Sequence, residues 1–313
     1  MKVGTDFSGI GAPEMALKYL GIDFDSVFAC EIDKYARKSF EQLHKPKTFY
    51  NDITKRNHKE IEQLDLYVAG FPCQAFSMAG KRKGFDEARG TLFFNVAEFI
   101  QINQPKVFVL ENVKGLLSHD RGKTFQTIVD ILSNGGGTKN GQISLDVFDD
   151  GLGYHIYWEV LNTKNYGIPQ NRERIFIVGF KDYKSFSFPK EIPLQIELKD
   201  ILQDNKNYVI VKSGDYQPYP RNYKDLNLPR KERFEKRNDN ISNCLITNAS
   251  YIEVDKKIRR LTPLECWRLQ GFKDNDFYKV KDVSDTQLYK QAGNSITVNV
   301  LMHLFKKIYG NNK

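Results

Sequence analysis

Leu64-Asp65-Leu66-Tyr67-Val68-Ala69-Gly70-Phe71-Pro72-Cys73-Gln74-Ala75-Phe76-Ser77 begins as an apolar run of strand length and stops abruptly at Gly-Phe-Pro-Cys. Glycine and proline terminate a strand there. A residue delivered just past the carboxyl end of a strand sits where open α/β sheets place their chemistry. Cys73 therefore has two readings: a nucleophile at a strand end, or a buried structural thiol of the kind free cysteines commonly are. The rest of the chain decides between them.

Working outward, residues 3–7 form a strand, followed by Ser8-Gly9-Ile10-Gly11-Ala12 and a helix with Pro13 in its first turn and Gly21 at its C-terminal cap. Further strands are expected at 27–30, 48–50, 64–69 and 106–110, running into Glu31, Asn51-Asp52, Gly70 and Glu111. Helices are expected near 34–43, 58–63, 91–101 and 124–132. This alternation predicts a parallel sheet with both faces covered. Strands at 154–161 and 174–180 follow a Gly- and Asn-rich excursion that includes residues 135–150. From 181 to 257 the alternation lapses into a Lys-, Asn-, Tyr- and Pro-rich stretch with short strand-like pieces at 208–211 and 244–247. Regular structure returns at Thr262-Pro263-Leu264-Glu265, a capping box, and at a similar cap, Ser284-Asp285-Thr286-Gln287. A last apolar-faced helix covers 296–309 and is stopped by Gly310.

At 313 residues two domains are expected, and no run approaches the roughly 18 apolar residues of a membrane span. The start, Met1-Lys2-Val3-Gly4-Thr5-Asp6, has no signal-peptide apolar region, so a cytoplasmic protein is expected. Cys30, Cys73, Cys244 and Cys266 include no close pair, which argues against a disulfide framework and against a zinc site. The excess of 47 Lys+Arg over 39 Asp+Glu suits a polyanionic partner.

Two phosphate-binding readings fail. Gly9-Ile10-Gly11-Ala12-Pro13-Glu14 places a glutamate where a dinucleotide fold needs its third small residue, and Leu117 stands where a phosphate loop ending at Gly122-Lys123-Thr124 needs its first glycine. Glu31, about 20 residues past the glycine turn, can instead accept from both hydroxyls of a ribose, and Asp52 ends the next strand. Two such carboxylates suit a nucleoside with an amino-bearing base and no pyrophosphate. A thiol, a carboxylic acid (Glu111) and two guanidiniums (Arg172, Arg174) beside that pocket form a nucleophile, a proton donor and oxygen-binding groups.

Asp6-Phe7-Ser8-Gly9-Ile10-Gly11, Gly70-Phe71-Pro72-Cys73-Gln74-Ala75-Phe76-Ser77, Arg89-Gly90-Thr91-Leu92, Glu111-Asn112-Val113, Gln170-Asn171-Arg172-Glu173-Arg174, Arg259-Arg260-Leu261-Thr262-Pro263 with Glu265, and Gln291-Ala292-Gly293-Asn294-Ser295 closely resemble, in order, the motifs of the DNA (cytosine-5)-methyltransferases. The resemblance implies a Rossmann-like mixed, mostly parallel sheet, the S-adenosylmethionine-dependent methyltransferase fold, spanning 1–180. It implies a smaller target-recognition domain at 181–257 and a C-terminal segment, 258–313, that returns to the catalytic domain. Cys73 matches the nucleophile that adds to cytosine C6, Glu111 the acid at N3, Arg174 the residue that holds O2, and Arg172 its support. Phe7, Gly9, Ile10, Gly11, Glu31, Ile32, Asp52, Ile53, Gly70, Pro72, Leu92, Asn294 and Ser295 match positions around S-adenosylmethionine, with no metal. Duplex DNA is the implied substrate, with the target base turned out of the stack. Ser77, Lys81, Arg82 and Lys83, in the loop 76–86, and Arg221, Arg230 and Arg233 are the expected DNA contacts. A monomer is expected, and any restriction endonuclease for the same site would act without binding it directly. A tRNA cytosine-5 methyltransferase would carry a Cys-Phe-Thr signature and no sizeable recognition domain. A non-catalytic DNA-binding homologue would have lost Cys73, Glu111 or the glycine turn.

Overall fold

In a computed structural model of the chain, the residues described are 1–72, 92–133, 151–203, 210–211, 217–218, 233–234, 240–247, 250–254, 257–280 and 282–310. They divide into two compact units. The first comprises Met1–Leu161, Glu173–Pro189 and Leu301–Lys313; the second comprises Asn162–Arg172 and Lys190–Val300. No described helix is long and apolar enough to cross a membrane.

The first unit is built on β1 (Lys2–Asp6), α1 (Ala12–Leu20), β2 (Asp25–Cys30), α2 (Lys34–Leu43), β3 (Thr48–Tyr50), β4 (Leu66–Ala69), α3 (Leu92–Asn103), β5 (Val107–Val113), α4 (Lys123–Leu132), β6 (His155–Asn162) and β7 (Glu173–Phe180). Its seven strands lie in the order β3-β2-β1-β4-β5-β7-β6. The first five are parallel, and β7 is antiparallel to β5. The sheet is thus mixed and mostly parallel, the class that the motifs imply.

Local chemistry sets the helix boundaries. Gly11 takes a left-handed conformation before α1, and Gly21 takes one after it, its N–H returning to the carbonyls of Leu17 and Lys18. Asp33 caps α2 by accepting from the N–H groups of Tyr35 and Ala36. α3 is apolar around most of its surface, as a helix buried on several sides must be; Phe93, Phe94, Val96, Phe99 and Ile100 are all buried in one cluster with Tyr67 and Phe108 of the sheet.

An ion pair lies inside this core. Asp6, the last residue of β1, accepts both guanidinium nitrogens of Arg56 at 2.7 and 2.8 Å and the Tyr67 hydroxyl at 2.6 Å, and both charged side chains are 0% exposed. The guanidinium lies 4.3 Å from the Phe28 ring centroid and 4.6 Å from that of Phe99. Burial alone would lower the Arg56 pKa, but the attraction and hydrogen bonds of Asp6 outweigh it and the net shift is upward.

The second unit contains α5 (Leu198–Ile201), β8 (Ile210–Val211), β9 (Gln217–Pro218), β10 (Arg233–Phe234), β11 (Tyr251–Val254), β12 (Lys257–Arg260), α6 (Pro263–Leu269), α7 (Asp274–Phe277) and α8 (Asp285–Asn294). α9 (Val298–Tyr309) begins there and continues into the first unit. β11-β12-β8 form a small sheet and β9 pairs with β10. α6 starts at the reciprocal Thr262–Glu265 cap, and Glu265 also takes Arg259 through two 2.8 Å bonds.

Four expectations are corrected. The helix at 58–63 is a single 3-10 turn, His58–Glu60, which ends where Ile61 turns extended; the extended chain beyond it is held by the Asn103 amide, which donates to the carbonyls of Ile61 and Glu62. Residues 244–247 are not a strand; the nearest bridge is an isolated one between Gln170 and Ser242, just before them. Ser284 precedes α8 without any side-chain cap bond, and α9 starts two residues later than periodicity suggested. The 135–150 excursion lies outside the described residues.

Asp6→Asn leaves a buried guanidinium without its counter-charge and should cost about 3–5 kcal/mol. The urea midpoint followed by tryptophan fluorescence should fall accordingly, and the combined replacement Asp6→Leu with Arg56→Met should recover most of the loss. A midpoint for Asp6→Asn equal to that of the parent would refute this.

Candidate active site

Register explains why chemistry gathers at one edge of the first unit. Tyr50, Cys30, Asp6, Ala69 and Leu110 pair in a single row across the five parallel strands. The residues that follow them are Asn51, Glu31, Phe7, Gly70 and Glu111, so one edge of the sheet presents them side by side. Glu31 and Glu111 stand three strand spacings apart, roughly 14 Å at ~4.8 Å per strand.

On the β1–β3 side the backbone turns sharply. Phe7 has φ of 53° and Gly9 has φ of 54°. A left-handed phenylalanine is strained by about 1–2 kcal/mol. A Cβ placed on Gly9 would meet no atom within 4 Å, so this glycine serves the turn and leaves open space above it. The Gly9 N–H donates to one Glu31 carboxylate oxygen at 2.9 Å, and the Asp33 N–H donates to the other at 2.8 Å. Each oxygen keeps a lone pair for a further donor. Ile32, beside it, is 76% exposed. Asp52 accepts from the Thr54 hydroxyl at 2.7 Å and from its N–H at 3.0 Å. These bonds, the hydroxyl's first, hold its carboxyl below the usual range. Ile10, Gly11 and Ile53 are buried beneath this surface, whereas Pro72 is exposed and Gly70 and Leu92 are half-buried.

On the β5–β7 side the antiparallel pairing sets Glu111 opposite Phe176 and Val113 opposite Arg174. Glu111 and Arg174 are therefore diagonal neighbours within reach of each other, and Arg174 Nε lies 3.2 Å from Glu111 Oε1. Arg174 also donates to the Glu173 carbonyl at 2.8 Å. The Asn112 amide donates to the Phe71 carbonyl at 2.9 Å and so ties β5 to the segment that runs into Cys73. The sequence marks Asn112 only by its place immediately after Glu111; β5 extends past both, to Val113, three residues beyond its expected end.

In the second unit Arg172 is buried and donates to the Ser295 carbonyl at 2.9 Å and the Gly293 carbonyl at 3.2 Å, with the Cys244 thiol at 3.5 Å. It thereby fastens the Gly-Asn-Ser turn, in which Asn294 is exposed and Ser295 buried. A Cβ on Gly293 would lie 2.6 Å from the Ile246 backbone, which explains a glycine inside α8. Gln170 joins this cluster, donating to the Leu269 carbonyl at 2.7 Å and accepting from the Leu245 N–H at 3.1 Å.

Cys73, the 76–86 loop with Ser77, Lys81, Arg82 and Lys83, and Arg221 and Arg230 lie outside the described residues. Arg233 lies in β10.

A family model for the C-5 cytosine-specific DNA methylases matches residues 1–310. The type II methyltransferase M.Bsp6I of Bacillus sp. (strain RFL6) is 34% identical over 330 residues, covering 99% of this chain and 98% of its own. M.HhaI of Haemophilus parahaemolyticus, also a type II methyltransferase, is 36% identical and covers 95% of this chain and 91% of its own. The crystal structure of the S. pombe Dnmt2 methyltransferase superposes with a TM-score of 0.73 over the full length of both chains at 18% identity, a likeness of fold. Because the family model spans nearly every residue and identities above 30% extend over almost the whole of both chains, this protein belongs to the C-5 cytosine-specific DNA methylases.

Proposed function

We propose that the protein is a sequence-specific DNA methyltransferase that transfers a methyl group to C5 of an extruded cytosine, with Cys73, Glu111, Arg174 and Arg172 as its working residues. The observation that carries this reading is the Arg174–Glu111 pair at 3.2 Å on the strand next to the Cys73 segment.

Cytosine C5 is a poor nucleophile. Addition of the Cys73 thiolate to C6 forms an S–C6 bond and moves the C5–C6 π electrons onto C5 and toward N3. Glu111 hydrogen-bonds N3 and holds a proton there as that charge develops, while Arg174 stabilises O2. Removal of the C5 proton after methylation re-forms the double bond and expels the thiolate. Arg172 acts at one remove, through the carbonyls of Gly293 and Ser295.

The β1–β3 edge fits a methyl-bearing nucleoside, because Glu31 keeps acceptor capacity on both oxygens and the space above Gly9 is open. S-adenosylmethionine supplies an electrophilic methyl group when bound. Phe7 would contact its adenine, Glu31 its ribose hydroxyls and Asp52 its amino group, with Gly9, Gly11, Ile10, Ile32, Ile53, Gly70, Pro72, Leu92, Asn294 and Ser295 as the other residues of the donor site. Residues 181–257 read the duplex, with Arg221, Arg230 and Arg233 at the DNA, and residues 76–86 close over the turned-out base. The enzyme acts as a monomer, without contact to any endonuclease that cuts the same site.

Duplex DNA bearing 5-fluorocytosine at the target, incubated with S-adenosylmethionine, should trap a covalent protein–DNA adduct that Cys73→Ser cannot form. Adducts on tRNA and on no DNA would overturn the substrate assignment. Glu111→Gln should lower kcat by about 10²–10⁴-fold in methyl-transfer assays with labelled donor, with donor affinity little changed; a loss confined to donor affinity would remove Glu111 from the acid role.

A further inference from the structure

Glu14 occupies the position that made the glycine turn unsuitable for a dinucleotide, and its surroundings give it a different task. It sits in the first turn of α1, fully buried. The Thr5 hydroxyl donates to Glu14 Oε1 at 2.8 Å. Thr5 has one hydrogen to give, so in its 3.0 Å contact with the Ser8 hydroxyl it can act only as acceptor. Ser8 in turn accepts from the Cys30 N–H at 2.9 Å, and its one hydrogen is shared among the Thr5 hydroxyl, the Thr5 carbonyl at 2.9 Å and the Cys30 carbonyl at 3.1 Å. The residues next in sequence, Gly9 and Glu31, are joined by the 2.9 Å bond of the donor edge. A chain of hydrogen bonds thus runs from Glu14 through Thr5 and Ser8 to the ends of β1 and β2.

Glu14 Oε2 is buried with no hydrogen-bond partner. An anionic oxygen in that state costs far more than a neutral hydroxyl. The charged group acting on Glu14 is Lys18, further along α1, whose ammonium is held by the Leu43 carbonyl at 2.6 Å and His44 Nδ1 at 3.0 Å at the end of α2. From β1 it is faced by neutral Thr5, whereas Asp6 is bound to Arg56.

We propose that Glu14 is a positioning residue for the methyl-donor site, holding residues 5–9 against the end of β2, and that it does so as the neutral carboxylic acid. The proposal rests on reading the Gly9–Glu31 edge as the donor site. Burial, the largest influence, raises its pKa to about 7, against the lowering effects of Thr5, its own N–H and Lys18. The folded value lies above the unfolded value of 4.5, so its stabilising contribution is complete below pH 4.5 and is lost as pH rises toward and through about 7. Above that, ionisation strains the turn that presents Gly9.

The test is calorimetric titration of the full chain with S-adenosylhomocysteine from pH 6 to 8. If binding needs the acid form, Kd should weaken roughly tenfold over that range in the parent. In Glu14→Gln, whose carbonyl still accepts from Thr5, the dependence should flatten. Thr5→Val, which removes the hydroxyl that joins the Glu14 carboxyl to Ser8, should weaken binding at pH 6 and raise the donor KM more than it lowers kcat. Superimposable pH profiles for parent and Glu14→Gln, or unchanged binding by Thr5→Val, would overturn the proposal and leave the donor-site reading intact. Absence of any binding by the folded parent would instead overturn the donor-site reading.

Discussion

The bidentate pair between Asp6 and Arg56 is the constraint on which the reactive edge depends. It takes two charges out of water, a cost of several kcal/mol per ion before compensation. Compensation comes from two short bonds, the Tyr67 hydroxyl and two flanking aromatic rings. An apolar pair could supply comparable stability. What the ion pair adds is direction: it joins the last residue of β1 to the segment after β3, so the strained turn at Phe7 and the capping carboxylate at Asp52 flank one rigid centre. Both belong to the surface proposed to hold the donor.

The same edge divides by chemistry. Its β1–β3 side offers backbone N–H groups, acceptor oxygens and an exposed isoleucine, suited to a nucleoside. The β5–β7 side offers an acid beside a guanidinium, suited to a ring whose charge changes during reaction. The antiparallel strand makes the second side possible. Had β7 run parallel, its carboxyl end rather than Arg174 would have stood beside Glu111.

Much of this was legible in the sequence, because strand ends announce themselves when an apolar run meets glycine or a carboxylate. The strands ending at Cys30, Tyr50 and Ala69 stop where the apolar runs stop, the first strand ends one residue early at Asp6, and α2 coincides with its expected span. Tertiary partners explain what was not legible. The 58–63 helix stops after one turn, where Ile61 turns extended and the side-chain amide of Asn103, 42 residues further on, takes its carbonyl. Residues 244–247 have strand composition, yet the Leu245 N–H is taken by the Gln170 side chain rather than by a neighbouring strand. Arg172 and Arg174, two residues apart in one motif, proved to have different partners, because one precedes β7 and the other lies within it. Glu14 looked like a defect in a glycine motif, and only its bond to Thr5 reveals an occupant with its own geometry.

The first unit is assembled from three stretches of chain, the last beginning at Leu301. That stretch carries Leu301, Leu304, Phe305 and Ile308, all buried, and the Ile308 carbonyl accepts from Lys184 at 2.5 Å. Chains fold as they are synthesised, earlier segments first. A ribosome making this protein therefore delivers all of Lys190–Val300 before the helix that closes the first unit exists. Synthesis itself becomes a timer: a nascent chain carries the strand-end groups long before it carries the last stretch of the unit that holds them.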